Sequence, residues 1–233
     1  MSWIISNPFS AAKSETPQSH YRALVLLAAF GGLRRGELLA LQRHHVDEVH
    51  RTIKVSGQAQ RIKGRGRVVR ETKSDAGKRT VALNSAVMAE LVQHMDTYTA
   101  ADGRSWVFVG GNGRPVREAD LYSAWCAAAI TCGHAVEAID KAGRIVRDKA
   151  GNAVLKPTVH LHDLRHYAGT EAARAGYTTR ELQARLGHGT TRAAMIYRHA
   201  AEERDAELAE RVGADFAAVK MARAAEIVAI RAG

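Results

Sequence analysis

The side chains best suited to chemistry in this sequence are two arginines, several histidines and one tyrosine. Arg34 follows a Gly-Gly-Leu turn, and Arg165 lies in the segment LHDLRH. A guanidinium group matches two phosphate oxygens at once and never loses its charge. Histidine suits acid–base work near neutral pH, and Tyr197 is either a packed aromatic or a nucleophile. The histidines closest to these positions are His160, His162, His166 and His188.

A metal site is the first alternative for the histidine cluster. His162 and His166 are four residues apart, so on a helix they share one face, as in zinc-binding H-E-x-x-H segments. Here, however, Asp163 stands at the second position instead of Glu, and Arg165 would place a positive charge beside the ion. The sequence therefore favours a site without metal.

Four short motifs together carry a more specific interpretation. They are GGLRRGELLAL at 31–41, LHDLRH at 161–166, LGH at 186–188 and IYRH at 196–199. This series closely resembles the motifs of the tyrosine recombinase (phage integrase) family, in the order Arg, Lys, His-x-x-Arg, His, Tyr and in the nine-residue step from His188 to Tyr197. Any one motif alone would be weak, but four in the right order and spacing are not.

The resemblance implies a role for each matching residue. Arg34 and Arg165 would clamp the scissile phosphate and neutralise the charge that builds up in the transition state. His188 would donate a hydrogen bond to the same phosphate, and His162 would accept the tyrosine proton. Tyr197 would attack phosphorus, leaving a 3′-phosphotyrosyl link and expelling a 5′-hydroxyl group.

The same resemblance extends to supporting residues. Glu37 matches an acidic position of the family and is expected to orient the site. The proton for the leaving oxygen comes, in the family, from a lysine in the hairpin between the second and third strands. Lys73 is the better match, and Lys78, after the turn, is the rival. No cofactor is implied: the arginines handle charge without metal, and the covalent link conserves the phosphodiester energy without ATP.

Other polar residues have less specific interpretations. His160, His166 and His199 are assigned to local packing or to hydrogen bonds near the phosphate, and Asp163 is expected to cap the helix that carries Arg165. A basic loop either tracks the DNA backbone or is a solvated surface loop, and the sequence does not separate the two. Its charged members are Arg61, Lys63, Arg65 and Arg67.

The elements that must position these residues begin with helices. Apolar spacing over 21–42 predicts two helices, broken at Gly31-Gly32. Three short segments predict strands of one antiparallel sheet, at 52–55, 67–70 and 79–83. The expected fold class is α+β: a mostly helical catalytic domain with a small three-stranded antiparallel sheet near the N-terminal third.

The second half of the chain is predicted to be mainly helical. Helices are expected at 84–95, where Asn84 is the N-cap, at 118–132, and from a Thr178–Glu181 capping box to Leu186. Residues 106–109 read as a short buried strand or extended segment. A near-repeat, DKAGRIV then DKAGNAV, predicts that 140–154 is an inserted surface hairpin with two Gly-containing turns.

The expected domain organisation has three parts. Residues 1–17 are a linker or frayed start, 18–200 form the catalytic domain, and 201–233 form a helical tail with apolar residues at helical spacing. In the family the segment after the tyrosine docks on a neighbouring protomer; packing on its own domain is the alternative. Most family members also carry an N-terminal DNA-clamping domain that nothing here resembles, so we expect a truncated chain.

Charge and composition bound the partners. The 233 residues carry a net charge of +10 with a pI near 9.9, which suggests a polyanionic partner, although a solubilising surface is the alternative. No stretch is apolar enough to span a membrane, and two cysteines form no disulfide framework. We expect double-stranded DNA as partner, a homo-tetramer on DNA when full length, with a monomer as the alternative in the absence of DNA, and the bacterial host cytoplasm as location.

Three functions fit these observations. The first is a site-specific DNA recombinase, an integrase that cleaves and rejoins strands. The second is a DNA-binding or architectural module on the same scaffold without strand transfer. The third is relaxation of DNA in the manner of a type IB topoisomerase. The sequences of LHDLRH and of LGH followed by IYRH resemble those of integrases more closely, and every residue type expected of the catalytic site is present.

Overall fold

A computed structural model describes residues 19–62, 64–71, 77–110, 112–190, 192 and 195–197. Predictions for 1–17, Lys63, Lys73, His199 and 201–233 fall wholly or almost wholly outside these ranges. The α+β class is confirmed. Short helices surround a main apolar core and a smaller apolar cluster that includes Tyr197, and the described strands form three small antiparallel sheets.

The first helix, α1, lies at the centre of the core. It runs over Arg22–Gly31, and Leu24 and Leu27 on it have no solvent exposure. Gly32 ends it in a left-handed conformation, at φ 65°, with its N–H bonded to the Ala28 carbonyl. A side chain would clash there, because a Cβ on Gly32 would lie 2.7 Å from Leu186 Cδ2. The predicted break at Gly31-Gly32 is confirmed.

The remaining helices in the described part of the chain agree with the predicted segments. They are α2 (Arg35–Leu39), α3 (Ser85–Tyr98), α4 (Glu118–Thr131), α5 (Asp163–Arg174) and α6 (Thr179–Leu186). Asn84 caps α3 by accepting from the Val87 N–H, and the Thr178–Glu181 capping box is formed. The prediction for Asp163 is wrong: it is the first residue of α5, and its carboxylate accepts the His160 N–H at 2.7 Å instead. None of these helices is long and apolar enough to cross a membrane.

The three-stranded sheet exists, but one of its strands differs from the prediction. It contains β1 (Val46–Asp47), β2 (Thr52–Val55) and β5 (Arg79–Ala82), all antiparallel, with Ile53 opposite Val81. The predicted strand at 67–70 belongs to β4 (Gly66–Glu71), which pairs with β3 (Gly57–Ile62) in a separate hairpin. The polar sequence GQAQRI of β3 has little apolar alternation, so the true partner was not recognised from the sequence.

The β3–β4 hairpin packs against α2. Ala59 is the buried residue of β3, and its carbonyl lies 3.0 Å from the position that a Cβ on Gly36 would occupy. The predicted basic loop Gly64-Arg65-Gly66 forms the turn end of this hairpin, at the solvent. The extended segment at 106–109 makes single bridges, of Trp106 with Gln42 and of Val109 with Pro115.

The segment between α4 and α5 is a surface hairpin with two internal turns, as predicted. Its base is β6 (Ala135–Glu137) paired with β7 (Leu155–Pro157). The repeated Asp-Lys-Ala-Gly makes the same turn twice, because Asp140 and Asp148 each accept N–H bonds from the residues two and four positions ahead. Three residues at intervals of eight, Ala138, Val146 and Val154, form a closed ring of backbone hydrogen bonds. The Ala138 N–H donates to the Val154 carbonyl, the Val154 N–H to the Val146 carbonyl and the Val146 N–H to the Ala138 carbonyl.

Candidate active site

Arg34 stands between α1 and α2, where the chain turns after Gly32. Its N–H donates to Glu37 Oε2 at 2.7 Å, and its Nη1 donates to Glu37 Oε1 at 2.9 Å. Its Nη2 donates to the Gly187 carbonyl at 2.9 Å, which ties the start of α2 to the end of α6. The side chain remains about a third exposed, so the guanidinium is fixed and still open to a ligand.

Glu37 is held by a second arginine that the sequence analysis did not single out. Arg79, at the start of β5, donates through Nη1 and Nη2 to both carboxylate oxygens at 2.9 Å, and both side chains are almost fully buried. Its Nε donates to the Arg185 carbonyl at 2.8 Å. Burial raises the pKa of the Glu37 carboxyl, but the hydrogen bonds and charge of Arg79, with help from Arg34, bring it below its ordinary value.

A sequence signal for Arg79 did exist. Residues two apart on a strand share a face, so Arg79 points to the same side as the buried Val81. An arginine on a core-facing position requires a buried acid, and Glu37 is the buried acid that the structure provides.

Arg165 is the most deeply placed cation of the site. It is 3% exposed on the first turn of α5 and donates to the carbonyls of Gly32 and Leu186. Burial, and then repulsion from Arg34, lower its pKa to about 10, so the guanidinium is still charged at neutral pH. Arg34 and Arg165 therefore converge on the ends of α1 and α6, and their mutual repulsion would be relieved by an anion.

His188 completes this group of cations. It follows Gly187, which ends α6 at φ 63°. Burial first, and then Arg165 and Arg34, lower the pKa of its imidazole to about 4, so it is neutral at neutral pH. Its Nδ1 is buried and has no hydrogen-bond partner among the described residues. A buried polar atom without a partner is costly, and a ligand would supply one.

Tyr197 lies in a single 3₁₀ turn, Met195–Tyr197, and is 4% exposed. Its ring rests on the backbone of α5 at Gly169: a Cβ there would lie 2.6 Å from Cε1 and 2.7 Å from Cε2. On another side His188 stacks nearly parallel to it, with ring centroids 6.4 Å apart and 8° between the planes. Burial raises the pKa of the phenol, and Arg165 opposes that rise.

The Tyr197 hydroxyl lies 3.3 Å from His166 Nδ1, a residue that the sequence analysis assigned to packing or hydrogen bonding. His162, the expected proton acceptor, stands edge-on to His166 with centroids 5.1 Å apart. Burial, and then His166 and Arg165, lower the pKa of His162. Both histidines are exposed. Of the two histidines, His166 is therefore the one whose hydrogen bond to Tyr197 the structure shows, and His162 contacts His166.

Of the two candidate lysines, the structure describes Lys78. Lys73 lies outside the described residues. Lys78 is exposed and pairs with Glu71 across 3.1 Å, with both side chains more than half exposed.

The basic hairpin divides into two kinds of arginine. Arg61 and Arg65 are exposed near its turn. Arg67 instead turns inward: it lies over the Trp106 ring at 5.0 Å and donates to the carbonyls of Leu39 and Val116. Its interior contacts give it a structural role, so a DNA contact is open to Arg61 and Arg65 among the described members.

The assembled site has a definite chemical character. Two fixed guanidinium groups and one neutral imidazole surround a position beside a buried phenol. Within the described ranges no group of three or more His, Cys, Asp or Glu side chains converges as metal ligands. The arrangement suits an anion with two or more oxygens and places the Tyr197 phenol next to it.

Comparison with known proteins gives the family. The sequence profile described as "Phage integrase family" matches residues 7–204. The putative prophage phiRv2 integrase of Mycobacterium tuberculosis is 32% identical over 191 residues, covering 81% of this chain and 45% of its own length. The integrase of Mycobacterium phage D29 is 34% identical over 195 residues, covering 83% and 46%. This chain thus spans about half the length of these relatives.

Solved structures give the same fold. The Tn1549 transposon integrase, in complex with transposon right end DNA, is 25% identical with a TM-score of 0.66, covering 91% of this chain and 63% of that one. The XerA recombinase is 22% identical with a TM-score of 0.56, covering 85% and 63%. The latter likeness concerns the fold alone.

Proposed function

Since this chain belongs to the phage integrase family, we propose that it is the catalytic domain of a site-specific DNA recombinase. It would cleave and rejoin DNA strands through a 3′-phosphotyrosyl intermediate. The observation that carries the proposal is the convergence of Arg34, Arg165 and His188 beside the Tyr197 ring, where His188 Nδ1 finds no hydrogen-bond partner in the described part of the chain.

The arginines and His188 bind the scissile phosphate in this proposal. Each guanidinium donates some of its five N–H groups to backbone carbonyls and has further N–H groups that can donate to the non-bridging phosphate oxygens. Because these donors are fixed before DNA arrives, they stabilise the pentacovalent transition state without reorganisation. Glu37 and Arg79 hold Arg34 in place.

Tyr197 is the proposed nucleophile. Its oxygen bonds to phosphorus, the bond from phosphorus to the 5′ oxygen breaks, and a lysine protonates that oxygen. By resemblance Lys73 is the proposed acid and Lys78 its rival. The phosphodiester energy is kept in the phosphotyrosine, so the reverse attack by a 5′-hydroxyl rejoins the strand without ATP.

The proposed partner is double-stranded DNA in the cytoplasm of a bacterial host. The net charge of +10 supports it, because phosphate contacts release condensed counterions. Arg61 and Arg65, exposed near the end of the β3–β4 hairpin, are proposed to contact the backbone. A homo-tetramer on DNA is proposed for the full-length protein, with residues 201–233 as its docking segment.

The test is covalent trapping on nicked duplexes, from which the expelled short strand diffuses away. A pool randomised over the core and enriched for adducts with the wild-type protein supplies the substrate. We expect a protein–DNA band on a denaturing gel without added metal, abolished by Tyr197→Phe and retained by the control Tyr177→Phe, a partly exposed tyrosine. DNA binding without any adduct would overturn strand transfer and leave a binding module.

A further inference from the structure

We propose that His166 is a catalytic residue: its Nδ1 takes the hydroxyl proton of Tyr197 as the phenol oxygen attacks phosphorus. The proposal rests on the strand-transfer function above and assigns the proton acceptor to His166 instead of His162. A phenol has a pKa near 10 and is a poor nucleophile at neutral pH unless a base takes its proton.

The position of the hydroxyl is the first argument. The Tyr197 ring is confined by the Gly169 backbone and by the stacked His188 ring. These contacts direct the hydroxyl to His166 Nδ1, at 3.3 Å. Catalytic hydrogen bonds are often long in the absence of substrate and tighten when it binds, so this separation fits a base awaiting its substrate.

The arrangement of the two histidines is the second argument. The described ring contacts of Tyr197 are with His166 and His188. The ring of His162 instead contacts His166, edge-on, with ring centroids 5.1 Å apart. His162 is therefore one ring removed from the reacting hydroxyl, where it can position the His166 ring.

The surrounding charges explain where the proton goes. Three residues of other segments face His166: His162 before α5, Tyr197 in the 3₁₀ turn and His188 after α6. Arg165 precedes it on its own helix. Once protonated, His166 lies beside the developing negative charge, and its exposed ring can exchange with water.

The step balances. The Tyr197 O–H bond breaks and an N–H bond forms at His166 Nδ1; the new O–P bond forms as the P–O5′ bond breaks, and the lysine protonates the 5′ oxygen. In rejoining, the His166 imidazolium returns its proton to the departing phenolate. Loss of His166 should therefore slow cleavage and rejoining together.

The test compares asparagine substitutions at three histidines in single-turnover cleavage of the selected nicked duplex. Asparagine places an amide atom near Nδ1 but cannot take up a proton. We expect a loss of about 10²–10⁴-fold for His166→Asn, the range of general base catalysis. His162→Asn should lose clearly less. His50→Asn is the matched control, because this exposed histidine also contacts an aspartate, Asp47, and has no part in the proposed site, and it should stay near wild type.

Two further readouts separate chemistry from structure. Added imidazole should partly restore cleavage by His166→Gly, because the exposed position admits a replacement base. A duplex with a sulfur in place of the bridging 5′ oxygen needs no acid for its leaving group. It should rescue a lysine variant and leave the His166→Asn defect intact.

The outcomes distinguish this inference from the function on which it rests. Active wild type with His166→Asn near wild type, or a larger loss in His162→Asn than in His166→Asn, overturns the role of His166 and leaves strand transfer standing. The role of His166 is also overturned if imidazole does not restore cleavage by His166→Gly and the duplex with the bridging 5′ sulfur does restore cleavage by His166→Asn. A wild type that binds DNA and yields no adduct overturns the function itself, and the inference falls with it.

Discussion

The two halves of the site are built in opposite ways. The anion clamp, which we define as Arg34, Glu37, Arg79 and Arg165, is anchored by a buried ion pair and by carbonyls at the ends of α1 and α6. The nucleophile group, which we define as the proposed nucleophile Tyr197 with His162 and His166, has exposed histidines and, among the described residues, one hydrogen bond at the tyrosine hydroxyl.

The difference matches the two roles in the proposed reaction, which are stabilising charge in the transition state and moving the attacking oxygen. Charges aimed at a transition state must be fixed in advance, since that is the source of their effect in a site with little water. The anion clamp is therefore made during folding and contributes to stability. In the proposed reaction Tyr197 moves its oxygen onto phosphorus. Among the described residues its side chain is held by packing against Gly169 and His188 and by one hydrogen bond, to His166.

The largest stability effect is expected from Glu37→Ala. It leaves the Arg79 guanidinium buried without its counter-ion, which costs about 3–5 kcal/mol of unfolding free energy. Denaturant unfolding measures this. The control is Glu118→Ala, whose pair with Arg35 is more than a third exposed on both sides and should contribute less than about 1 kcal/mol. Equal costs for the two variants would mean that the anion clamp is not a stabilising unit.

Arg34→Ala should separate activity from stability. We expect cleavage to slow by about 10²–10³-fold, the usual effect of removing one preorganised donor. Glu37 keeps its contacts with Arg79, so the unfolding free energy should fall by no more than about 1 kcal/mol. Single-turnover trapping and denaturant unfolding test the two halves, with Arg35→Ala as the adjacent control. Normal cleavage in Arg34→Ala would contradict the assignment of this residue to the anion clamp.

Gly169→Ala tests the packing of the nucleophile. Alanine favours a helix by about 1 kcal/mol over glycine, but here its Cβ would strike the Tyr197 ring. We expect a net loss of about 1–3 kcal/mol from overpacking, together with slower cleavage. In a Tyr197→Ala background the same substitution should become stabilising, and a double-mutant cycle by denaturant unfolding measures the difference. Additive effects would show that the ring does not rest on Gly169.

Local signals explain what could be predicted from the sequence. The break after α1 follows from Gly31-Gly32, the start of α6 from the spacing of Thr178 and Glu181, and the two-turn insertion from its repeated Asp-Lys-Ala-Gly. Each feature depends on contacts within a few residues. The motif residues were singled out by their order along the chain, and their catalytic roles stay predictions.

Features that depend on distant contacts were not predicted. The strand β3 has Ala59 and Ile62 as its apolar side chains, and its pairing with β4 and its packing on α2 identify it. Arg67 has the composition of a surface loop, yet Trp106 and two carbonyls bring it inward. His166 was assigned to packing or hydrogen bonding because nothing near it in the sequence places the Tyr197 hydroxyl beside its ring.

The most direct test of the central claim is to identify the residue that carries DNA. The trapped adduct would be digested with nuclease and protease, and the nucleotide-bearing peptide sequenced by mass spectrometry. The account predicts a 3′-linked nucleotide on Tyr197 and none on Tyr167 or Tyr177, the other tyrosines of the final third of the chain. A linkage to another residue, or a 5′-linked nucleotide, would contradict it.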